Sequence, residues 1–110
     1  MEEVEFLLDA KEFAQKAKDS KRLPVVIQNA FKAVEFALKA YATKRLKRRI
    51  ASHSEAKSVA YAMNERVGDA FVESMDLYHG SYDREDGKRV ERALKLMEEM
   101  LNEIEPTLAE

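Results

Sequence analysis

The chain lacks cysteine altogether and contains only 3 glycines and 2 prolines among its 110 residues. Without cysteine there is no disulfide framework, no cysteine-ligated zinc or iron–sulfur cluster, and no thiol nucleophile. The scarcity of turn residues excludes collagen-like and Gly/Pro-rich disordered chains and argues against an all-β fold. No apolar run approaches the ~18 residues of a membrane-spanning helix. These absences together predict a soluble helical domain.

Charge is abundant but balanced, because 19 basic and 21 acidic residues give a formal net charge of −2. Such a balance provides no global attraction to nucleic acid or to a membrane surface. The first residues are acidic, unlike the basic start of a signal peptide, so a cytoplasmic location is expected. Few Asn and Gln beside abundant Lys, Glu and Arg is compatible with a thermophilic source. The length predicts one domain over residues 1–110.

Apolar residues recur at helical spacing along the whole chain and predict an all-α fold, an up-and-down antiparallel bundle of four to five helices. The expected helices cover about 2–19, 24–48, 52–67, 69–78 and 88–104. Their boundaries rest on local signals: Pro24 in a first turn, Ser52 with Glu55 as a capping box, a break at Gly68, a cap at Asp69 and a stop at Pro106.

The second predicted helix is apolar around most of its circumference, with only a narrow polar stripe. That stripe consists of Gln28, Asn29, Lys32, Glu35, Lys39 and Thr43. A helix of this kind is buried on more than one side, at the centre of the bundle, at a subunit interface, or both. We therefore expect a homodimer, because a bundle of this size leaves much of its surface unburied.

A dense basic cluster follows this stripe, and two explanations for it stay open. It consists of Lys44, Arg45, Lys47, Arg48 and Arg49. Cations at a helix C-terminus are favoured by the macrodipole, by ~0.3–1 kcal/mol each. The cluster alternatively forms a phosphate-binding patch for RNA or a nucleotide. Mutual repulsion among so many close charges means that the dipole alone explains the cluster poorly, so both explanations stay open.

The two histidines are the candidate acid–base groups. His53 follows the basic cluster, with four residues between it and Arg48, so an imidazole and a cation could act together on a phosphate. His79 and Tyr82 place an imidazole and a phenol at one loop. The alternatives are a polar turn residue at position 53 and a helix-capping role for His79. Two histidines are too few to predict a metal site, and no cofactor is expected.

Three segments together resemble the HEPN family, in particular its small stand-alone members. They are residues 30–42 with their aromatic–Ala–apolar–Lys–Ala run, the pair Ser52-His53, and Leu77-Tyr78-His79-Gly80-Ser81-Tyr82. The resemblance implies a four- or five-helix bundle that dimerises. It also implies links to RNA cleavage, to toxin–antitoxin pairs, or to a small nucleotidyltransferase partner.

The catalytic motif of HEPN ribonucleases is an Arg, four to six residues, and then a His near a later helix. Position 79 does not fit this motif, because Ser74, Glu73 and Val72 stand where the Arg would be. Arg48 and His53 have the spacing but come too early in the chain. We therefore expect a non-catalytic dimeric domain that binds a nucleotide, RNA or a partner protein. A metal-independent endoribonuclease and a purely structural interaction module are the alternatives.

Overall fold

Five α-helices and one π-helical turn make up the parts of the chain that the computed structural model describes, residues 2–80 and 87–109. The elements in order are α1 (Glu2–Asp19), α2 (Leu23–Tyr41), the π-helical turn (Ala42–Leu46), α3 (His53–Met63), α4 (Glu65–His79) and α5 (Gly87–Leu108). No strand occurs within these two ranges, so the all-α bundle is confirmed. No helix in the described portion is long and apolar enough to cross a membrane.

Helix α2 lies at the centre of the bundle, as its apolar circumference predicts. Nine of its residues are buried, because α1 and α5 pack along it and α3 and α4 contact it as well. These are Val26, Ile27, Ala30, Phe31, Ala33, Val34, Ala37, Leu38 and Ala40. Helices of the same chain therefore cover α2, and its burial requires no partner subunit.

Small side chains form the contact between α1 and α2, the most extensive in the bundle. The buried residues of α1 are all alanines, at positions 10, 14 and 17. Beside them Phe13 stacks on Phe36 of α2, with ring centroids 5.3 Å apart. Alanine at the contact lets two helices approach closely, at the lower end of the usual 8–10 Å between helix axes.

The second helix ends earlier than predicted, and differently. Its α-helical part stops at Tyr41 instead of near Arg48, and a π-helical turn continues to Leu46. The turn is closed by Lys47, whose backbone is left-handed with φ 54° and whose N–H donates to the carbonyl of Ala42. A left-handed residue ends a helix by redirecting the chain, and here residues 47–52 lead from it to α3.

The break between α3 and α4 falls at Asn64, so the predicted break at Gly68 and cap at Asp69 are wrong. Asn64 has an extended backbone, and its Oδ1 accepts a 2.8 Å hydrogen bond from the N–H of Val67. This side-chain cap satisfies one of the free N–H groups that begin α4. Gly68 lies within α4 beneath the ring of Tyr61, whose hydroxyl donates to Asp69 at 2.7 Å.

Helix α5 continues past Pro106 to Leu108, so the predicted stop is also wrong. Proline removes one N–H and therefore one hydrogen bond, but other groups satisfy the carbonyls nearby. The hydroxyl of Thr107 donates to the carbonyl of Ile104 at 2.6 Å, and two cations of the basic cluster bond the last carbonyls, as described below. The buried face of this helix consists of Val90, Ala93, Leu96, Met97, Met100 and Ile104.

One face of α4 packs into the core. Phe71 is buried, whereas Met75 and Tyr78 are half-buried at the edge of the core. The other buried residues of this helix are Val67, Gly68, Ser74 and Leu77. Tyr78, near the C-terminal end of α4, meets the ring of His53 at the start of α3, with centroids 6.2 Å apart.

Candidate functional site

His53 is the first residue of α3 and lies against α2. The Oγ of Ser52 accepts a 3.1 Å hydrogen bond from the N–H of Glu55, which confirms the predicted helix start and fixes the position of His53. The imidazole Nε2 lies 3.3 Å from Oε2 of Glu35, and the ring meets the ring of Phe31 edge-on, with centroids 5.2 Å apart. The histidine is therefore held between a carboxylate and an aromatic face.

The second histidine comes to the same place from another helix. His79 is the last residue of α4, and its ring centroid lies 6.2 Å from that of His53. Its neighbour Tyr78 stacks on Phe31 at 4.6 Å and meets His53 edge-on. Two imidazoles, two aromatic rings and a carboxylate thus converge where α2, α3 and α4 meet. Tyr82, the third predicted catalytic residue, lies outside the described residues.

Glu35 experiences two opposing influences at this meeting point. Its side chain is 21% exposed, and burial raises the pKa of its carboxyl above the ordinary value. The charges of His53, Lys39 and Lys32 lower that pKa but only partly offset the burial. Desolvation penalises the charged form of a carboxyl, so Glu35 takes up a proton more readily than an exposed glutamate.

An open depression of about 310 Å³ gives solvent access to His53. Its lining residues are Glu35, Lys39, Ile50, Ala51, Ser52 and His53. We call it the histidine depression. Lys39 supplies a positive charge there, and its Nζ lies 4.5 Å from the ring centroid of Phe36. The depression therefore offers an anion both a fixed cation and an imidazole that gains charge on protonation.

Arg48 and His53 were predicted to act together, but the structure gives them different surroundings. The charged partner of His53 is Glu35, whereas Arg48 lines a second depression of about 280 Å³. The lining residues of this second depression are Glu2, Thr43, Lys47, Arg48 and Arg49. Within residues 2–80 and 87–109, no hydrogen bond or ion pair joins Arg48 to His53.

Three cations of the basic cluster make structural contacts: Lys44, Arg45 and Arg49. Lys44 donates to the carbonyl of Leu108, and Arg45 bonds the carbonyl of Thr107 through Nε at 3.0 Å and Nη2 at 2.6 Å. Arg49 pairs with the carboxylate of Glu2. Lys44 and Arg45 thus bond the C-terminal carbonyls of α5, where the helix dipole favours cations. The dipole explanation therefore holds for these two residues, but through α5 and not through their own helix.

No arginine precedes His79 at motif spacing, and the nearest one that the structure identifies comes from α5. Nη2 of Arg89 donates to the carbonyl of Leu77 at 3.3 Å, and a Cβ added at Gly80 would stand 2.3 Å from the same atom. Glu73, which occupies a motif position, pairs with Arg92 at 2.5 Å. Two arginines of α5 therefore contact α4: Arg89 bonds a carbonyl near its end, and Arg92 balances the charge of Glu73. No local sequence motif indicates these contacts.

Neither family models nor known proteins identify this arrangement. No protein-family model matches the chain, and no curated protein and no solved structure matches it. In the described part of the chain, no group of three or more His, Asp or Glu side chains is placed to hold a metal ion. The function is therefore argued from the two depressions and their side chains.

Proposed function

We propose that this protein is a HEPN-like helical domain that binds the phosphate groups of RNA or of a nucleotide at the histidine depression. The observation that carries the proposal is the meeting of His53 and His79, from different helices, with ring centroids 6.2 Å apart beside this open depression. Imidazoles and Lys39 are suitable donors to phosphate oxygens, and protonation of either histidine adds positive charge.

The surrounding aromatic rings support a nucleic-acid ligand over a simple anion. Phe31 and Tyr78 stack on each other, Phe31 meets the ring of His53 edge-on, and Tyr78 contacts the ring of His79. Exposed rings of His and Tyr are surfaces on which unpaired bases stack in single-stranded RNA recognition. Of these rings His79 is exposed and Tyr78 is half-buried, so both are within reach of a ligand.

A metal-independent endoribonuclease is the second candidate, and the same pair of histidines favours it. One imidazole would take the proton of a 2′-hydroxyl while the 2′-oxygen bonds to phosphorus. The other imidazole would protonate the 5′-oxygen as the P–O5′ bond breaks. Glu35 would orient His53, and Lys39 would stabilise charge on the phosphorus oxygens. We rank it second because His79 has no arginine at motif spacing, and Arg48, which has that spacing from His53, lines the other depression.

The proposed unit is a homodimer, as the resemblance to HEPN proteins implies, and a nucleotidyltransferase-type partner in a toxin–antitoxin pair is compatible with it. Since α2 is covered within the chain, a dimer interface would involve another surface. A purely structural module would leave the convergence of His53, His79 and Glu35 without a purpose.

The test measures binding of a fluorescein-labelled, mixed-sequence single-stranded RNA by anisotropy at low salt with EDTA present. His53→Asn and His79→Asn should each weaken binding about tenfold or more, and Glu35→Gln should strengthen it by removing a competing carboxylate. Asn102→Ala on α5 is the control and should leave affinity unchanged. Equal affinity in wild type and both histidine variants would overturn the proposal.

The same samples separate the two candidates. Gel analysis after prolonged incubation shows intact RNA if the domain only binds. Cleavage by wild type that is lost in His53→Asn or His79→Asn would establish the ribonuclease and identify the histidine that it requires.

A further inference from the structure

The depression lined by Glu2, Thr43, Lys47, Arg48 and Arg49 adjoins the histidine depression. The polar stripe supplies Glu35 and Lys39 of α2 to one depression and, four residues further on, Thr43 of the π-helical turn to the other. The segment that follows the π-helical turn lines both, because residues 47–49 belong to the second depression and residues 50–53 to the first. The two depressions therefore lie next to each other along this segment, although they have no lining residue in common.

The second depression has unused donors for an anion. Among residues 2–80 and 87–109, the side chains of Lys47 and Arg48 make no hydrogen bond or ion pair, and both residues are exposed. The Oγ1 of Thr43 is buried without a hydrogen-bond partner in the same part of the chain. A buried hydroxyl without a partner costs free energy, so Thr43 at the wall of the depression still has a hydrogen bond to donate.

A carboxylate already occupies part of this depression. Glu2, in the first turn of α1, pairs with Arg49 there. This ion pair is largely exposed, with Arg49 79% and Glu2 43% exposed, so it is weak and exchangeable. The side chain of Glu2 thus shows that the depression accepts an oxyanion and identifies the group that a ligand would displace.

We propose that the second depression is a phosphate subsite, and that the ligand is a single-stranded oligonucleotide with phosphates at both depressions. This inference rests on the proposed function. Eight residues separate Glu35 in α2 from Thr43 in the π-helical turn, which corresponds to about 12 Å along a helix axis. A single phosphate cannot span that distance, so the two subsites select an oligonucleotide over a mononucleotide. Glu2 competes with the ligand for Arg49.

The test is a length series of 5′-phosphorylated oligoadenylates, from adenosine monophosphate to the hexanucleotide, measured by calorimetry at fixed low salt. Affinity should rise by about tenfold or more once the ligand spans both subsites, because the second contact is then intramolecular. The double variant Lys47→Gln/Arg48→Gln should lose this rise while retaining the affinity for the mononucleotide. Retained mononucleotide binding also shows that the variant is folded.

Two further variants sharpen the result. Lys21→Gln/Lys95→Gln also removes two positive charges, but from exposed positions outside both depressions. This control should keep the rise of affinity with ligand length. Glu2→Gln should tighten oligonucleotide binding without changing mononucleotide binding. In wild type the dependence of log affinity on log salt should be steeper than in Lys47→Gln/Arg48→Gln, by about 0.7 for each lost phosphate contact.

The outcomes distinguish the two proposals. A rise with length that persists in Lys47→Gln/Arg48→Gln, or no rise in wild type, overturns the second subsite and leaves the histidine depression standing. Absence of binding to every nucleotide in the series overturns both.

Discussion

Nε2 of His53 lies 3.3 Å from Oε2 of Glu35, so the first residue of α3 is paired with a half-buried carboxylate on the central helix. The pair joins the start of α3 to the middle of α2. It also places a negative charge beside the imidazole that the proposed ligand would contact. Glu35 consequently affects stability and ligand binding in ways that can be measured separately.

Stability at neutral pH should increase when Glu35 is replaced by Gln. Burial raises the pKa of this carboxyl in the folded protein above its ordinary value of 4.5. The folded state therefore binds the proton more tightly than the unfolded state, and stability from this group falls as pH rises through the folded-state pKa. Glu35→Gln removes this pH-dependent loss of stability. The free energy of unfolding of the variant should therefore equal that of wild type below pH 4.5 and exceed it increasingly above pH 4.5.

The measurement is urea unfolding of wild type and Glu35→Gln at a series of pH values. Glu91→Gln, an exposed position on α5, serves as the control and should show no pH-dependent difference. An advantage of Glu35→Gln that is constant across the series would show that desolvation of the charge is not its cause.

Gly68 is the one glycine within α4. Whether Gly68→Ala stabilises or destabilises the protein should depend on Tyr61. A Cβ at position 68 would stand 2.1 Å from Cδ1 of Tyr61, so Gly68→Ala should push the ring away and break the Tyr61–Asp69 hydrogen bond. In a Tyr61→Ala background the same substitution should stabilise α4 by about 0.5–1 kcal/mol, because alanine is the better helix former.

This double-mutant cycle is measured by thermal and urea unfolding of the four proteins. Additive effects of Gly68→Ala and Tyr61→Ala would show that the ring does not require the glycine.

Arg45 and Arg48 belong to one basic cluster but should affect different properties. Arg45→Gln removes the hydrogen bonds to the carbonyl of Thr107. The loss of stability should be only about 1 kcal/mol, because this contact is exposed to solvent. Arg48→Gln should change stability by less than about 0.5 kcal/mol, as is usual for surface sites. RNA affinity, in contrast, should fall more in Arg48→Gln than in Arg45→Gln.

Urea unfolding and anisotropy titration of the same two variants check this prediction. Equal loss of RNA affinity in both variants, measured under conditions where both are folded, would mean that the cluster acts as a diffuse patch.

A homodimer remains a prediction, and the structure changes the surface on which to test it. Val4 and Leu8, one turn apart on α1, are 45% and 62% exposed, while α2 is covered. If these residues form the interface, Leu8→Lys should shift the mass from that of a dimer toward the 12.6 kDa of one chain. Gln15→Lys on the same helix is the control, and light scattering at micromolar concentration is the measurement. A wild-type mass of one chain would exclude the dimer.

The sequence predicted those features that depend on neighbouring residues. It missed those that depend on competition between local signals or on contacts between residues far apart in the chain. The bounds of α1 and the cap at Ser52 follow from periodicity and one side chain, and both are confirmed. The break at Asn64 was missed because glycine is the stronger breaker in general, whereas here Gly68 allows the close approach of Tyr61. The π-helical turn depends on the left-handed conformation of Lys47, which lysine adopts rarely.

The candidate site was predicted as separate residues but not as an arrangement. His53 was identified from its position after the basic cluster and His79 from its position near Tyr82, yet their meeting depends on how α3 and α4 pack on α2. Glu35 was recognised only as part of a polar stripe, since nothing in the local sequence connects it with His53. The roles of Lys44 and Arg45 at the end of α5 depend on contacts more than 60 residues away along the chain.

The alanine contact between α1 and α2 begins only at Ala10, so the two ends of α1 are held unequally. Residues 2–9 are exposed or half-buried, and the first turn therefore can unwind without disturbing the core. Fraying of that turn would carry Glu2 away from Arg49 at little cost. Ligand access to the second depression would then be governed by a local opening equilibrium, visible as fast amide exchange in the first two turns of α1 beside slow exchange from Ala14 onward.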